Sequence, residues 1–300
     1  MGARRVVVAG TLTAMASGLY GTAFFALQPR GPESEALAEQ AARLRSQLKP
    51  GEPIFLLPAY ATEAREMLGD GEVWAVRHPM LQDLETRSRV WLFALFGSET
   101  RAERAFQRAG WVAQSGWNAA GIAVRAFENP SPWEVVDDLS VRVAEAEVFH
   151  LLGDGTSDRC RKVGSGTKHT CARESEWLYV APEWHRMGEH PRHCLWAHPP
   201  GQGSLRITWT DVPGHGVLVG RGGHTLHSSR HARAPVHMAV DVHSIGQTDL
   251  VFELTDTWSP FRIPMAGTAR TTTVSFTIWS EDAGANHFCF TADVRRAPEP

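Results

Sequence analysis

Three hundred residues, 43% hydrophobic and 21% charged, suffice for two domains with buried cores and exclude a disordered chain. Thirty Lys and Arg against 33 Asp and Glu give a net charge of −3, so no basic excess marks a nucleic-acid partner. Gly 27 and Pro 18 carry no collagen-like bias.

Residues 1–29 read as a signal anchor or a signal peptide. Arg4-Arg5 is followed by an uncharged run of 22 residues, Val6 to Leu27, the length of an apolar helix that crosses a bilayer core of about 30 Å. Ala14-Met15-Ala16 offers a cleavage site, but the apolar character continues to Phe24, Phe25 and Leu27, which favours an uncleaved anchor. Because Arg4 and Arg5 precede the run and Glu33 and Glu35 follow it, the N-terminus is expected in the cytoplasm. The rest of the chain is then extracytoplasmic, periplasmic or at the cell surface, and anchored in the inner membrane through residues 6–27.

Residues 30–130 alternate helical and strand patterns. Leu37, Ala41, Leu44 and Leu48 make one helical face that Pro50-Gly51 ends. Pro53-Ile54-Phe55-Leu56-Leu57 is a strand buried on both faces, followed by a helix over 61–68 and the strand Val73 to Val76. Pro79 opens a helix to about Ser88, and Arg89 to Phe96 is a third strand. Thr100 and Glu103 form a capping box for a helix ending at Gly110, with further strands around Val112 and over 121–127. This alternation predicts a small α/β sandwich on a largely parallel sheet, with Tyr60, His78 and Ser98 in its ligand-side loops. No G-x-G-x-x-G follows the first strand, where Pro58-Ala59-Tyr60 stands, so no dinucleotide or other cofactor is expected. In element order and in the strand Arg89-Val90-Trp91-Leu92, the block resembles the soluble α/β domain of lipid-linked-sugar membrane glycosyltransferases. That resemblance implies a three-layer, Rossmann-like fold; transferase activity is not carried over.

Asn129-Pro130-Ser131-Pro132 is a linker, and from residue 131 to 300 the helical period disappears. Leu139 to Val148, Leu205 to Trp209, Val236 to Val242, Leu250 to Leu254, Thr273 to Ile278 and His287 to Val294 read as strands. Turn clusters at Gly220-Arg221-Gly222-Gly223 and over 282–286 separate them, so an antiparallel β-sandwich is expected. The succession from Pro235 to the closing Phe288-Cys289-Phe290 resembles a galactose-binding-like jelly roll, the fold of many carbohydrate-binding modules. The fold class is thus α+β in two domains: an apolar N-terminal helix, an α/β block and a β-sandwich.

Four cysteines in an exported chain read first as disulfides. Of three pairings, Cys160–Cys171 with Cys194–Cys289 is favoured: the first closes a Gly/Ser/Lys-rich loop, the second ties an early strand to the last.

Thirteen of the fourteen histidines lie from His150 onward, among them His185, His190, His193 and His198 around Cys194, and His224-x-x-His227-x-x-x-His231. With no H-E-x-x-H or C-x-x-C, they read as surface and packing residues and no metal is expected. There is no G-x-S-x-G elbow, and carboxylate pairs such as Asp137-Asp138 are too common in sandwich loops to mark catalysis. Among the tryptophans, Trp184 and Trp258 lie near loops, beside His185 and Asp256, and these four are the candidate ligand-binding residues. The expected function is non-catalytic binding of a glycan, or of an envelope protein partner, at the cell envelope. The alternative is an enzyme acting on envelope polysaccharide, with its site in the α/β or interdomain crevice.

Overall fold

The computed structural model describes residues 32–69, 72–75, 84–171, 176–187, 190–243, 245–255 and 257–298. The apolar run of residues 6–27 lies outside them. Among the described residues no helix is long and apolar enough to cross a membrane. The chain divides into two compact units, one from residues up to 79 together with 89–128, the other from 80–88 together with 129 onward.

The first unit starts with α1 (Ser34–Arg45), whose apolar stripe buries Leu37, Ala41 and Leu44. Then come β1 (Ile54–Leu57), α2 (Thr62–Leu68), β2 (Val73–Ala75), β3 (Arg89–Leu95), α3 (Glu99–Arg108), β4 (Val112–Ala119) and β5 (Ile122–Glu128). The sheet order is β2-β1-β3-β5-β4. Residues of α1 and α2 pack with Ile54, Leu56, Trp91, Phe93 and Val124 in one core. On α3, Phe106 meets Phe55 and Phe127, with ring centroids 5.6 and 4.6 Å apart.

This sheet corrects the Rossmann-like expectation. Only β1 pairs in parallel, with β2 and β3; β3 with β5 and β5 with β4 are antiparallel. The cause is local: Ala120 and Gly121, with φ of 50° and 77°, form a two-residue turn, which joins only antiparallel strands. A mixed sheet therefore replaces the largely parallel one, and the described residues are mostly strand rather than α+β. The capping box is also corrected: α3 begins at Glu99, and Ser98 Oγ donates to the Leu95 carbonyl at 2.6 Å. Where a helix was expected before Ser88, residues 84–88 make a turn that belongs to the second unit. Glu85 anchors it there, 2.8 Å from Arg262 and 3.4 Å from Arg295.

The second unit carries β6 (Glu134–Asp138), β7 (Glu147–Leu151), β8 (Ser157–Arg159), β9 (Arg161–Val163), β10 (Lys168–Thr170), β11 (Tyr179–Met187) and β12 (His190–Ala197). It continues with β13 (Ser204–His224), α4 (Ser228–His231), β14 (Val236–Val242), β15 (Gly246–Phe252), β16 (Ser259–Trp279) and β17 (Phe288–Arg296). Every pairing among these strands is antiparallel.

Strands β13 and β16, each 21 residues, build both layers. The first half of β13 pairs with β7 and the end of β16; past register shifts between Trp209 and His215, its second half pairs with β17 and the start of β16. Inward residues of both halves share one buried cluster, in which Phe276 of β16 lies 5.8 Å from Trp209 and 5.0 Å from Phe290. The expected antiparallel sandwich is therefore present.

The Gly220–Gly223 cluster, expected as a turn, lies inside β13. A Cβ on Gly220 would stand 2.1 Å from the Phe261 ring and 2.4 Å from the Thr291 carbonyl oxygen, so glycine serves close approach here, not reversal. Disulfides join Cys160 to Cys171 and Cys194 to Cys289, closing the β9–β10 hairpin and tying β12 to β17.

Candidate functional site

Alternation along β11 divides its side chains between two faces. Val180 joins the sandwich core, as do Leu195 and Ala197 of β12; Tyr179, Ala181 and Trp196 form a separate cluster on the outer face. Cross-strand register extends that face. Arg161 is opposite Thr170, and Thr170 opposite Tyr179; Ala181 is opposite Trp196, and Trp196 opposite Cys289.

Trp196 is only 2% exposed although it faces outward. Aromatic rings cover it: His185 at 4.6 Å, His287 at 5.2 Å, Tyr179 at 5.8 Å and His198 at 5.9 Å between centroids. Its indole N–H donates to the Trp177 carbonyl at 3.3 Å. Trp177 itself is 58% exposed and stacks on His287 at 6.2 Å. From α4 and the residue before it, His227 stacks on His287 at 5.1 Å and meets His231 at 4.5 Å.

Polar groups frame these rings. Glu183 accepts from the Tyr179 hydroxyl at 3.2 Å and pairs with His185 Nε2 at 3.0 Å. Lys168 Nζ stands 3.7 Å from the centre of the Tyr179 ring. Burial and the neighbouring Glu183 raise the Tyr179 phenol, which keeps it a neutral donor. Burial, then the nearby His198, His227 and His185, push His287 down to about 4; burial also lowers His198. Both imidazoles are neutral at pH 7, each with one donating and one accepting nitrogen. The face thus combines flat apolar rings with hydrogen-bonding groups of both kinds. Among the described residues, no group of three or more His, Cys, Asp or Glu is arranged to hold a metal ion.

The four residues singled out from sequence do not come together. His185 is part of the outer face. Trp184 is 70% exposed but points to the opposite side of β11, its ring 5.4 Å from His193. Trp258, a ligand-binding candidate because it lies near a loop, is 6% exposed and packs with Met187 and the Cys194–Cys289 pair. Gly223 lets the backbone before Trp258 come close, since a Cβ on the glycine would lie 2.7 Å from the Thr257 carbonyl oxygen. Asp256 lies outside the described residues. In the first unit, Tyr60 is exposed, Ser98 is bonded to its own strand, and His78 lies outside the described residues.

Trp177, Trp196, His198, His227 and His287 are the members that residue-by-residue reading missed. The one signal for them was the concentration of histidine after residue 150. His224 of the same run is structural: it is buried, with Nδ1 3.1 Å from Ser228 Oγ and Nε2 3.1 Å from the Phe252 carbonyl.

No protein-family model matches the sequence, and no curated protein matches it. Solved structures that align with parts of the chain include the CBM51-2 and INT domains of Clostridium perfringens ZmpB, at 9% identity and TM-score 0.29 over 50% of this chain and 26% of that one. A second is the same CBM51-2 in complex with GlcNAc, again with INT domains, at 10% identity and TM-score 0.32 over 63% of this chain and 41% of that one. A third is the CBM51 of Clostridium perfringens GH95 in complex with methyl-galactose, at 12% identity and TM-score 0.28 over 38% of this chain and 81% of that one. The alignments thus span well under two thirds of the two ZmpB chains. At these TM-scores the likeness carries no argument about what this chain binds.

Proposed function

We propose that this chain is an extracytoplasmic, non-catalytic glycan-binding protein whose β-sandwich takes sugar on the outer face around Trp196. The observation that carries the reading is Trp177, an indole 58% exposed and backed by His287, which covers Trp196 together with His185 of the Glu183–His185 pair. A sugar ring has an apolar C–H face, which stacks on such a plane, and a rim of hydroxyls, which needs donors and acceptors close by. Two disulfides support a chain that matures in an oxidising compartment. The run Val6 to Leu27 behind Arg4-Arg5 is the proposed means of export, and of anchoring with the N-terminus in the cytoplasm.

The test is a glycan array probed with the full chain, disulfides intact, beside Trp177→Ala and Trp184→Ala. Selective binding that Trp177→Ala abolishes at an unchanged melting temperature, and that Trp184→Ala retains, supports this face. Loss through Trp184→Ala alone would move the site to the other side of the β11–β12 hairpin. No binding to any glycan would overturn the reading and leave an envelope protein as the partner to seek.

A further inference from the structure

We infer that the glycan taken by this face is an anionic polysaccharide whose acid groups are received by Lys168 and Arg161. The inference rests on the glycan reading and names the class of its ligand. The chain as a whole is acidic, at −3, yet residues 157–171 hold Arg159, Arg161, Lys162 and Lys168 against the single carboxylate of Asp158. Arg161, Lys162 and Lys168 fall within the loop that Cys160–Cys171 closes, and Arg159 directly precedes it.

Register divides the three on β9 and β10 between the two sides of those strands. Lys162 is opposite His169, and His169 opposite the core residue Val180, so this row runs along the inner side; Lys162 Nζ is spent on the Ala144 carbonyl at 2.7 Å. Arg159 is paired with Glu147 at 2.7 Å. Arg161, opposite Thr170 and thus in the row of Tyr179, belongs to the outer face and is exposed. Lys168 shares that face, its ammonium held against the Tyr179 ring. Two cations therefore flank one end of the aromatic face.

From β9 to β12 the face crosses three strand spacings, about 14 Å, which suits an oligosaccharide more than a single sugar. The carboxylate at the centre, Glu183, is hydrogen-bonded by Tyr179 and His185, and the two cations at this end outnumber it. A neutral sugar would meet the rings and their neutral hydrogen-bonding groups; a uronate or sulfate ester would add charge-assisted hydrogen bonds, which are about twice as strong as neutral ones.

The experiment titrates the full chain with oligogalacturonate, dextran sulfate and neutral dextran, at low and at high salt. The variants are Arg161→Gln/Lys168→Gln on the face and Arg159→Gln/Lys162→Gln off it, each with its melting temperature recorded. The expected result is acidic over neutral binding that weakens with salt, as exposed charge pairs do. The face pair should lose about tenfold or more in affinity, while the off-face pair, with the same charge removed, stays near wild type. Preference between the first two probes tells carboxylate from sulfate. Dextran bound as tightly as the acidic probes would overturn the anionic class while leaving glycan binding intact. Equal losses in the two double variants would overturn the assignment to Lys168 and Arg161. Binding of none of the three, with no glycan bound on the array either, would remove the reading on which the inference stands.

Discussion

Removing the two disulfides separately should cost unequal amounts. The bonds close loops with sequence separations of 11 residues, Cys160–Cys171, and 95 residues, Cys194–Cys289. In the chain-entropy description, a cross-link stabilises by restricting the unfolded chain, and the restriction grows with the logarithm of the loop. It comes to about 2.8 kcal/mol for the short loop and about 4.7 kcal/mol for the long one. The loops do not overlap in sequence, so the double variant lacking both bonds should lose nearly the sum. All four sulfurs are buried, so both Cys→Ala pairs also leave small unfilled volumes, and this contribution does not reverse the order. Urea unfolding of Cys160→Ala/Cys171→Ala and Cys194→Ala/Cys289→Ala, followed by tryptophan fluorescence, measures both losses. The first unit contains neither bond and provides an internal reference. A gap of about 2 kcal/mol in favour of the long loop is expected. Equal losses, or a larger one for the short loop, would refute the entropic account and point to native packing around Cys160.

Trp258→Ala should destabilise the sandwich by about 3–5 kcal/mol, whereas Trp177→Ala should stay within about 0.5 kcal/mol; thermal melts of the two should separate clearly. His287 and His198, lowered in the fold, take up protons first when unfolded, so stability is full above about pH 6.5 and falls as pH drops towards 4. The shift of His287 corresponds to at most about 3 kcal/mol, discounted to about 1–2 kcal/mol because the ring is partly solvated. In melts across pH 7 to 4, His287→Phe should flatten the slope, and an unaltered slope would count against it. Gly220→Ala drives a methyl into the Phe261 ring and the Thr291 carbonyl and should cost about 1–3 kcal/mol, measured by chemical unfolding.

What could be read in the sequence was what short-range patterns encode. The stripe of α1, the buried run of β1 and the alternating strands β14 and β17 follow from period alone. The pairing of Cys194 with Cys289 followed from their places on an early and a late strand. The mixed sheet of the first unit was not legible, because period distinguishes strand from helix but says nothing of direction; that was set by two residues, Ala120 and Gly121. The inner half of β13 was hidden for another reason. Its glycines, read as turn formers, are there because Phe261, Phe252 and Phe288 press against the backbone, a demand only the folded sandwich makes. The candidate site was hardest to see. Trp177, Trp196 and His287 are separated by up to 110 positions and become neighbours only through the register of β11, β12 and β17. Trp258 misled because a polar loop sequence says little about whether a ring folds back over a disulfide.

Strands β13 and β16 belong to both layers and pair with each other along most of their length. Neither layer can therefore melt while the other persists, since each loses its central strand pair when the other opens. Backbone amides in β7, β14 and β17 should exchange with solvent deuterium at one common free energy, as a single cooperative block. The short hairpin of β9 and β10 pairs with the remainder only through β11 and should open earlier. The end of the face that carries the cations would then be the part of the sandwich most able to adjust to what lands on it.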